Sequence, residues 1–342
     1  MKKLLFNTLK IVVPIALGVW LVYYSYAQLD GKQRVELFDA FRQADLRWLA
    51  AVLVLGWLSH VSRAWRWRYL LEPLGHRVRF WSSYHAVMAG YFMNMLLPRA
   101  GEASRAVTLY RLEHVPFERG FGSILAERAV DMVMLLGITG MTLLLQLDKL
   151  DMFQDRILAF RAGQATDLAA PDGINWGPWI GGALVLAAIG AAYIVWSRPA
   201  LRARAMDGVR GFIAGVGSVF RTKDKGAFLL HTFLIWGLYV AMFLLGFQAL
   251  PSTSDVPLAG LLAGFIAGSV GIILVQGGIG VFPAFVALIV GLYMAPPDGG
   301  GLIRPDALAI GWLLWFVQTA MLIGLGGLSL LLAARDRKPN LP

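Results

Sequence analysis

Apolar positions run through this chain in blocks rather than in the alternation of a soluble core. The windows 4–26, 46–62, 120–147, 176–196, 227–249 and 307–333 are mostly apolar, the charges within them being Lys10, Arg47, Glu127, Arg128 and Asp131. Each approaches the roughly 20 residues that an α-helix needs to cross a hydrocarbon layer of about 30 Å. Two further apolar stretches, 81–110 and 258–294, are interrupted. The first holds Asn94, Pro98 and Gly101 together with Arg99, Glu102 and Arg105. Charges placed in hydrocarbon cost roughly 2.5–3.5 kcal/mol each on insertion scales, so they face a protein interior or a wet cavity and mark a pathway. The second is broken at Gln276, Gly277, Gly278 and Gly280, with Pro283 suited to the first turn of a new helix.

Charge in the connecting segments sets the sidedness. Segment 63–79 carries five Arg and one Glu, and 198–225 carries seven basic and two acidic residues. Both are expected to be cytoplasmic by the positive-inside bias. Segment 148–172, with three basic and five acidic residues, and 250–257, with Asp255 alone, are expected outside. If 81–110 crossed once, both signals would invert, so it reads as a hairpin that enters from the cytoplasm and returns near Pro98. Parity makes 258–294 a hairpin from the opposite side, or a pair of short spanning helices. Lys2, Lys3 and Lys10 at one end and Arg335, Arg337 and Lys338 at the other put both termini inside. Ser25-Tyr26-Ala27 leaves a cleaved signal segment as an alternative to a retained first helix.

The expected fold is an all-α polytopic membrane protein with about six full transmembrane helices and two broken or re-entrant hairpins arranged as an inverted repeat. The chain reads as one integral membrane domain, 1–342. Its first half is about 1–147 with hairpin 81–110, and its second about 176–333 with hairpin 258–294. An amphipathic connector, 198–225, lies on the cytoplasmic surface despite Gly208, Gly211, Gly215 and Gly217. In inverted-repeat proteins, broken helices meet near the midplane and frame a substrate site. Return helices starting near Ala100 and Phe282 would point their N-termini, with unpaired N–H groups, into the interior and favour an anion.

Composition agrees: 58% of residues are hydrophobic, 15% are charged and the mean hydropathy is +0.63. Soluble domains carry about 25% charged residues. The net charge of +10 falls in short segments between apolar runs rather than on one face, so nucleic acid is not an expected partner. There is no cysteine, which removes thiolate chemistry, and the five His lack ligand spacing, so no metal or cofactor is expected. No phosphate loop, His-Glu-x-x-His or nucleophile elbow is present.

Candidate chemistry gathers around the first break. Glu127 and Asp131 share a helix face, with Arg128 beside them. With Arg99, Glu102 and Arg105 they form either a charge-cancelling network between helices or a set of groups that exchange partners with a phosphate. Asn94 either donates to a head group or caps the hairpin turn. The run Arg63-Ala64-Trp65-Arg66-Trp67-Arg68 reads as an interfacial anchor. Gln318 and Thr319 read as helix-packing groups.

Asn94-x-x-Leu97-Pro98-x-x-Gly101-Glu102-x-x-Arg105, followed by Pro116 and Glu127-Arg128-x-x-Asp131, resembles the lysylphosphatidylglycerol synthase transmembrane, or flippase-like, family. Gly277-Gly278-Ile279-Gly280 resembles that family's second glycine-rich motif, and the similarity spans roughly residues 4–332. The resemblance implies a module of the inner membrane that translocates lipid. Arg99 and Arg105 would hold the phosphate of an anionic phospholipid or polyprenyl-phosphate-linked lipid, with Glu102 and Asp131 competing for those arginines. In bifunctional members a soluble domain follows the helices and adds the amino acid. This chain reaches Pro342 soon after the last window, so synthase activity is not expected. Where members carry an acidic residue after the second motif, this chain has Phe282-Pro283-Ala284, and a carboxylate role there is not carried over. Gln276 likewise stands where the family has proline or glycine. The alternatives are a scaffold or accessory subunit of an envelope-biosynthesis glycosyltransferase, and a membrane-embedded head-group transferase.

Overall fold

The computed structural model describes residues 16–97, 100–149, 190, 196–218, 222–295 and 303–335. All regular structure among them is helical. After a helical stretch over 16–27, the elements are α1 (Gly31–Gln43), α2 (Leu46–Leu71), α3 (Phe80–Leu96), α4 (Gly101–Glu113), α5 (Phe117–Leu144), α6 (Pro199–Ser218), α7 (Lys225–Gly246), α8 (Leu258–Leu274), α9 (Val281–Gly291) and α10 (Pro305–Arg335). The connector 198–225 contains α6, which stays helical through its glycines. Window 176–196 and segment 148–172 lie almost entirely outside the described residues, as do Pro98 and Arg99.

Among the described residues, 225–249 and 305–335 are each long and apolar enough to cross a membrane. The bent pair Gly31–Gln43 and Leu46–Leu74, meeting at 71°, makes a third candidate. At 28 residues α5 has the length, with Glu127, Arg128 and Asp131 near its middle. The helix at the window 46–62 extends nine residues beyond it, to Leu71. The helix begins at Asp45, whose carboxylate caps the Arg47 N–H at 2.8 Å, and runs on to Leu71, so Arg63, Arg66 and Arg68 belong to the helix rather than to a loop.

The first interrupted stretch is a helical hairpin, α3 against α4. A residue before proline is pushed out of the α region, and Leu97 accordingly ends α3 in extended conformation (φ −131°, ψ 129°). Gly101 opens α4 where a side chain would strike Asn94 and the backbone of Gly90. The second stretch is also a hairpin, α8 against α9. Its turn needs positive φ at Gly277 (67°), Gly278 (66°) and Gly280 (70°), a region that side chains disfavour. Gly260, Gly264 and Gly268, spaced one turn apart, let α8 lie directly on Tyr293, Val290 and Phe282.

α10 touches both hairpins in a definite order. Gly311 packs on Pro283 of α9, and the Trp315 indole donates to the Gly277 carbonyl at 2.6 Å. Further along, Gly326 packs on Met88 and Phe92, and Ser329 meets the His85 ring at 3.1 Å. The two hairpins therefore approach the middle of α10 from opposite ends. Their turns meet there, with the Met95 methyl 3.0 Å from where a Cβ on Gly277 would stand. Gly18 of the first helical stretch closes on Ile279 and Gly280.

Gly101→Ala should force a methyl into Asn94 and the Gly90 backbone, destabilising the protein by about 1–3 kcal/mol. Gly122→Ala, with open space around it, should leave stability unchanged. Thermal denaturation in detergent compares the two, and a Gly101→Ala melt at the wild-type temperature would contradict the packing.

Candidate functional site: a buried ion network beneath the first hairpin

Five charged side chains from three helices meet inside the bundle. Arg63 and Arg66, three residues apart, share one face of α2, and Glu127 and Asp131, four apart, share one face of α5. Arg105 arrives from the second turn of α4. Relative exposures are 3% for Arg63, 0% for Arg66, 5% for Arg105, 1% for Glu127 and 7% for Asp131. Charges so removed from water survive only with close partners.

The arginines of α2 are thoroughly engaged. Arg63 Nη1 donates to Glu127 Oε1 (3.0 Å) and Asp131 Oδ2 (2.6 Å), and its Nη2 reaches the Tyr239 hydroxyl (3.4 Å). Arg66 Nη2 donates to Glu127 Oε1 and Asp131 Oδ1, both at 2.8 Å, and its Nη1 to Thr232 Oγ1 at 3.1 Å. Trp236 Nε1 adds a longer contact to Asp131 at 3.4 Å. The network thus binds α2, α5 and α7 together.

Arg105 differs in its terminal nitrogens: Nη2 lies 2.7 Å from Glu127 Oε2, within ion-pair range but off the angle of a hydrogen bond, whereas an Nε without a hydrogen-bond partner is common to all three arginines. Its guanidinium carbon sits 3.8 Å from the centre of the Trp67 ring. Three guanidiniums thus face two carboxylates, and the network carries one positive charge in excess. Toward the surface, Arg128 pairs with Glu102 at 3.1 Å, with side chains 43% and 25% exposed.

A small cleft opens between α3, α4 and α5, lined on its polar side by Tyr91, Asn94, Glu102, Arg105 and Arg128. Asn94 caps the hairpin: its side-chain oxygen accepts the Gly101 N–H at 2.7 Å. The structure brings Asn94, Gly101, Glu102, Arg105 and Arg128 around this cleft and places Glu127 and Asp131 behind it. The partners differ from those expected. Glu102 holds Arg128, and Asp131 holds Arg63 and Arg66, whereas Arg105 goes to Glu127. Gly277, Gly278, Gly280 and Pro283 stay in the second hairpin, which reaches the first through Met95. Gln276 forms part of that turn.

Arg63, Arg66 and Trp67 were missed by the anchor reading of 63–68, and helical spacing could have found them. At 100° per residue these three share a face, while Trp65 and Arg68 lie on the other. Trp65 is exposed with Arg68 over its ring at 4.5 Å, so only that half of the run resembles an interfacial anchor.

A helical apolar chain carrying a sealed ion network at a helix break defines a multi-pass membrane protein. Residues 11–313 match the family model for the lysylphosphatidylglycerol synthase TM region, and the chain belongs to that family. It is 30% identical over 109 residues to glycosyltransferase AglD of Haloferax volcanii, covering 32% of this chain and 18% of that protein. It is 32% identical over 89 residues to UPF0104 membrane protein MJ1595 of Methanocaldococcus jannaschii, covering 25% of this chain and 26% of that one. The aligned segments therefore span about a quarter or less of either relative. No solved structure matches.

Glu127→Ala leaves three buried guanidiniums around Asp131 alone. It is expected to destabilise the protein by about 3–5 kcal/mol. Arg42→Ala, which removes an exposed 3.4 Å contact to Asp39, should change stability by less than about 1 kcal/mol. Unfolding in detergent measures both, and a stable Glu127→Ala protein would contradict the network.

Proposed function

We propose that this chain passes an anionic lipid, a phospholipid or polyprenyl-phosphate-linked lipid, between the leaflets of the cell inner membrane. The observation that carries the reading is the excess positive charge of the buried network, whose Arg105 lines a cleft together with Arg128. In this reading 1–342 is one integral membrane domain with both termini cytoplasmic, and 81–110 and 258–294 are re-entrant hairpins of an inverted repeat. Their opposed approach along α10 supports that arrangement. The lipid phosphate meets Arg128 first and displaces Glu102. It then competes with Glu127 for Arg105, while Glu127 stays with Arg63 and Arg66. Exposed Leu96 and Leu97 at the hairpin turn offer an apolar surface to the acyl chains. Arg99, which lies outside the described residues, is the further candidate for the phosphate.

A second reading rests on the similarity to a protein named as a glycosyltransferase: a head-group transferase or an accessory subunit of an envelope enzyme. Product formation from purified protein with candidate sugar donors, or a stoichiometric enzyme partner on purification, would favour it.

Reconstituted into liposomes with fluorescent phosphatidylglycerol, the wild type should expose inner-leaflet probe to an external quencher faster than empty vesicles do, and Arg105→Ala should fall to the empty-vesicle rate. Wild type equal to empty vesicles overturns the proposal. Sidedness is testable because the chain has no cysteine: Ser254→Cys should label from outside intact cells and Arg111→Cys should not, and the reverse pattern contradicts the topology.

A further inference from the structure

We infer that the outward face of α2, where it meets the start of α3, is a binding site for one anionic lipid on the outside of the bundle, with the lipid phosphate on Arg68 and an acyl chain along Trp65 and Trp57. The site is separate from the cleft at Arg105 and does not depend on the reading given to that cleft.

At 100° per residue, Leu53, Val54, Trp57, Leu58, Trp65 and Arg68 fall within one arc of about 140°, turned away from Arg63 and Arg66. The five apolar members are exposed and Arg68 is half-buried. A wall of rings backs this face. Trp65 lies on Phe80 with 5.1 Å between ring centres, Phe80 lies on Tyr84 at 6.2 Å, and the Tyr84 hydroxyl accepts the Trp57 N–H at 3.1 Å. From Trp57 to Arg68 the helix rises about 16 Å, which is about half of a hydrocarbon core and so matches one leaflet.

Arg68 is held in place at the end of this track. Its Nε donates to the Val78 carbonyl at 3.0 Å, and its guanidinium carbon sits 4.5 Å from the centre of the Trp65 ring. A guanidinium keeps its N–H donors in its plane, so these contacts occupy its Nε and one face and leave both terminal nitrogens unused. Among the described residues Arg68 has no further hydrogen bond and no carboxylate in ion-pair range, Glu72 one turn on included. Glu113, at the neighbouring end of α4, accepts instead from Arg79 and Ser82. Arg77, exposed on the connection that supplies the Val78 carbonyl, adds a second cation. Two terminal nitrogens presented together pair with two phosphate oxygens. Interfacial tryptophans alone select no head group, whereas basic groups at the end of a spanning helix attract anionic lipid.

The full chain with a fluorophore on Leu58→Cys, at the edge of the arc, is placed in phosphatidylcholine nanodiscs, and spin-labelled phosphatidylglycerol or spin-labelled phosphatidylcholine is added. The anionic lipid should quench about fivefold more per molecule, the preference that one basic residue near a membrane surface supplies. The same fluorophore on Leu136→Cys, an exposed position of α5, should show a ratio near one. Equal ratios at the two positions overturn the inference, and this comparison needs no change at Arg68 or Trp65. Arg68→Gln should bring the Leu58 ratio to about one. Trp65→Leu, which keeps the charge but releases the guanidinium plane, should lower it at least about twofold, the range of an exposed cation–π contact. A ratio unchanged by Arg68→Gln overturns the phosphate contact, and one unchanged by Trp65→Leu reduces Arg68 to an ordinary surface charge and overturns the built site. Failure of both lipids to quench at Leu58 would mean that protein covers this face, which also overturns it.

Discussion

Glu127 is the group on which the rest of the structure depends. Its two carboxylate oxygens lie within 3.0 Å of nitrogens from Arg63, Arg66 and Arg105. A carboxylate at 1% exposure has no water to compensate it, so those three partners must be present together. Breaking a buried pair costs more than forming it gains, because the orphaned charge remains inside. The helices that deliver the partners are therefore fixed relative to each other, and α4 in particular cannot leave α5 without stranding Arg105.

That constraint explains why a broken helix is tolerated at this place. Irregular backbone at membrane depth persists where protein or a wet cavity surrounds it. The first hairpin turn is held by Asn94 on the Gly101 N–H, and behind it Arg105 is anchored on Trp67 and Glu127. The second turn is held by Trp315 on Gly277 and by close contacts to Gly18 and Met95. The first hairpin carries the charge and the second carries none of it. If the molecule changes shape during work, the apolar contact between the turns is a cheaper place to part than the network behind them.

Much of this was legible in the sequence where the signal is local. The runs 227–249 and 307–333 fall within the spans 225–249 and 305–335 because uninterrupted apolar sequence leaves no other stable arrangement. Both breaks were visible because proline and glycine act on the backbone beside them. The helix over 31–43 escaped notice because its inward face is only Gln33 and Leu37. Its sequence mark is the capping box that Asp30 and Gln33 form. The site was half legible. Glu127 and Asp131 announce a shared face, but their partners lie more than 60 residues away on α2, and no local pattern records that distance. Arg63 and Arg66 read as loop charges just beyond the window 46–62, because a buried arginine and a loop arginine look alike until the opposing carboxylates are located.

The central claim is that the charge left over in this network exists for a lipid phosphate. The most direct measurement is a high-resolution structure of the full chain in nanodiscs containing anionic lipid. The account predicts head-group density between Arg105 and Arg128, with its phosphate within hydrogen-bond distance of the Arg105 edge and its acyl chains leaving past Leu97. A closed cleft, with Arg105 fully hydrogen bonded to Glu127 and lipid only around the outside of the bundle, would contradict it.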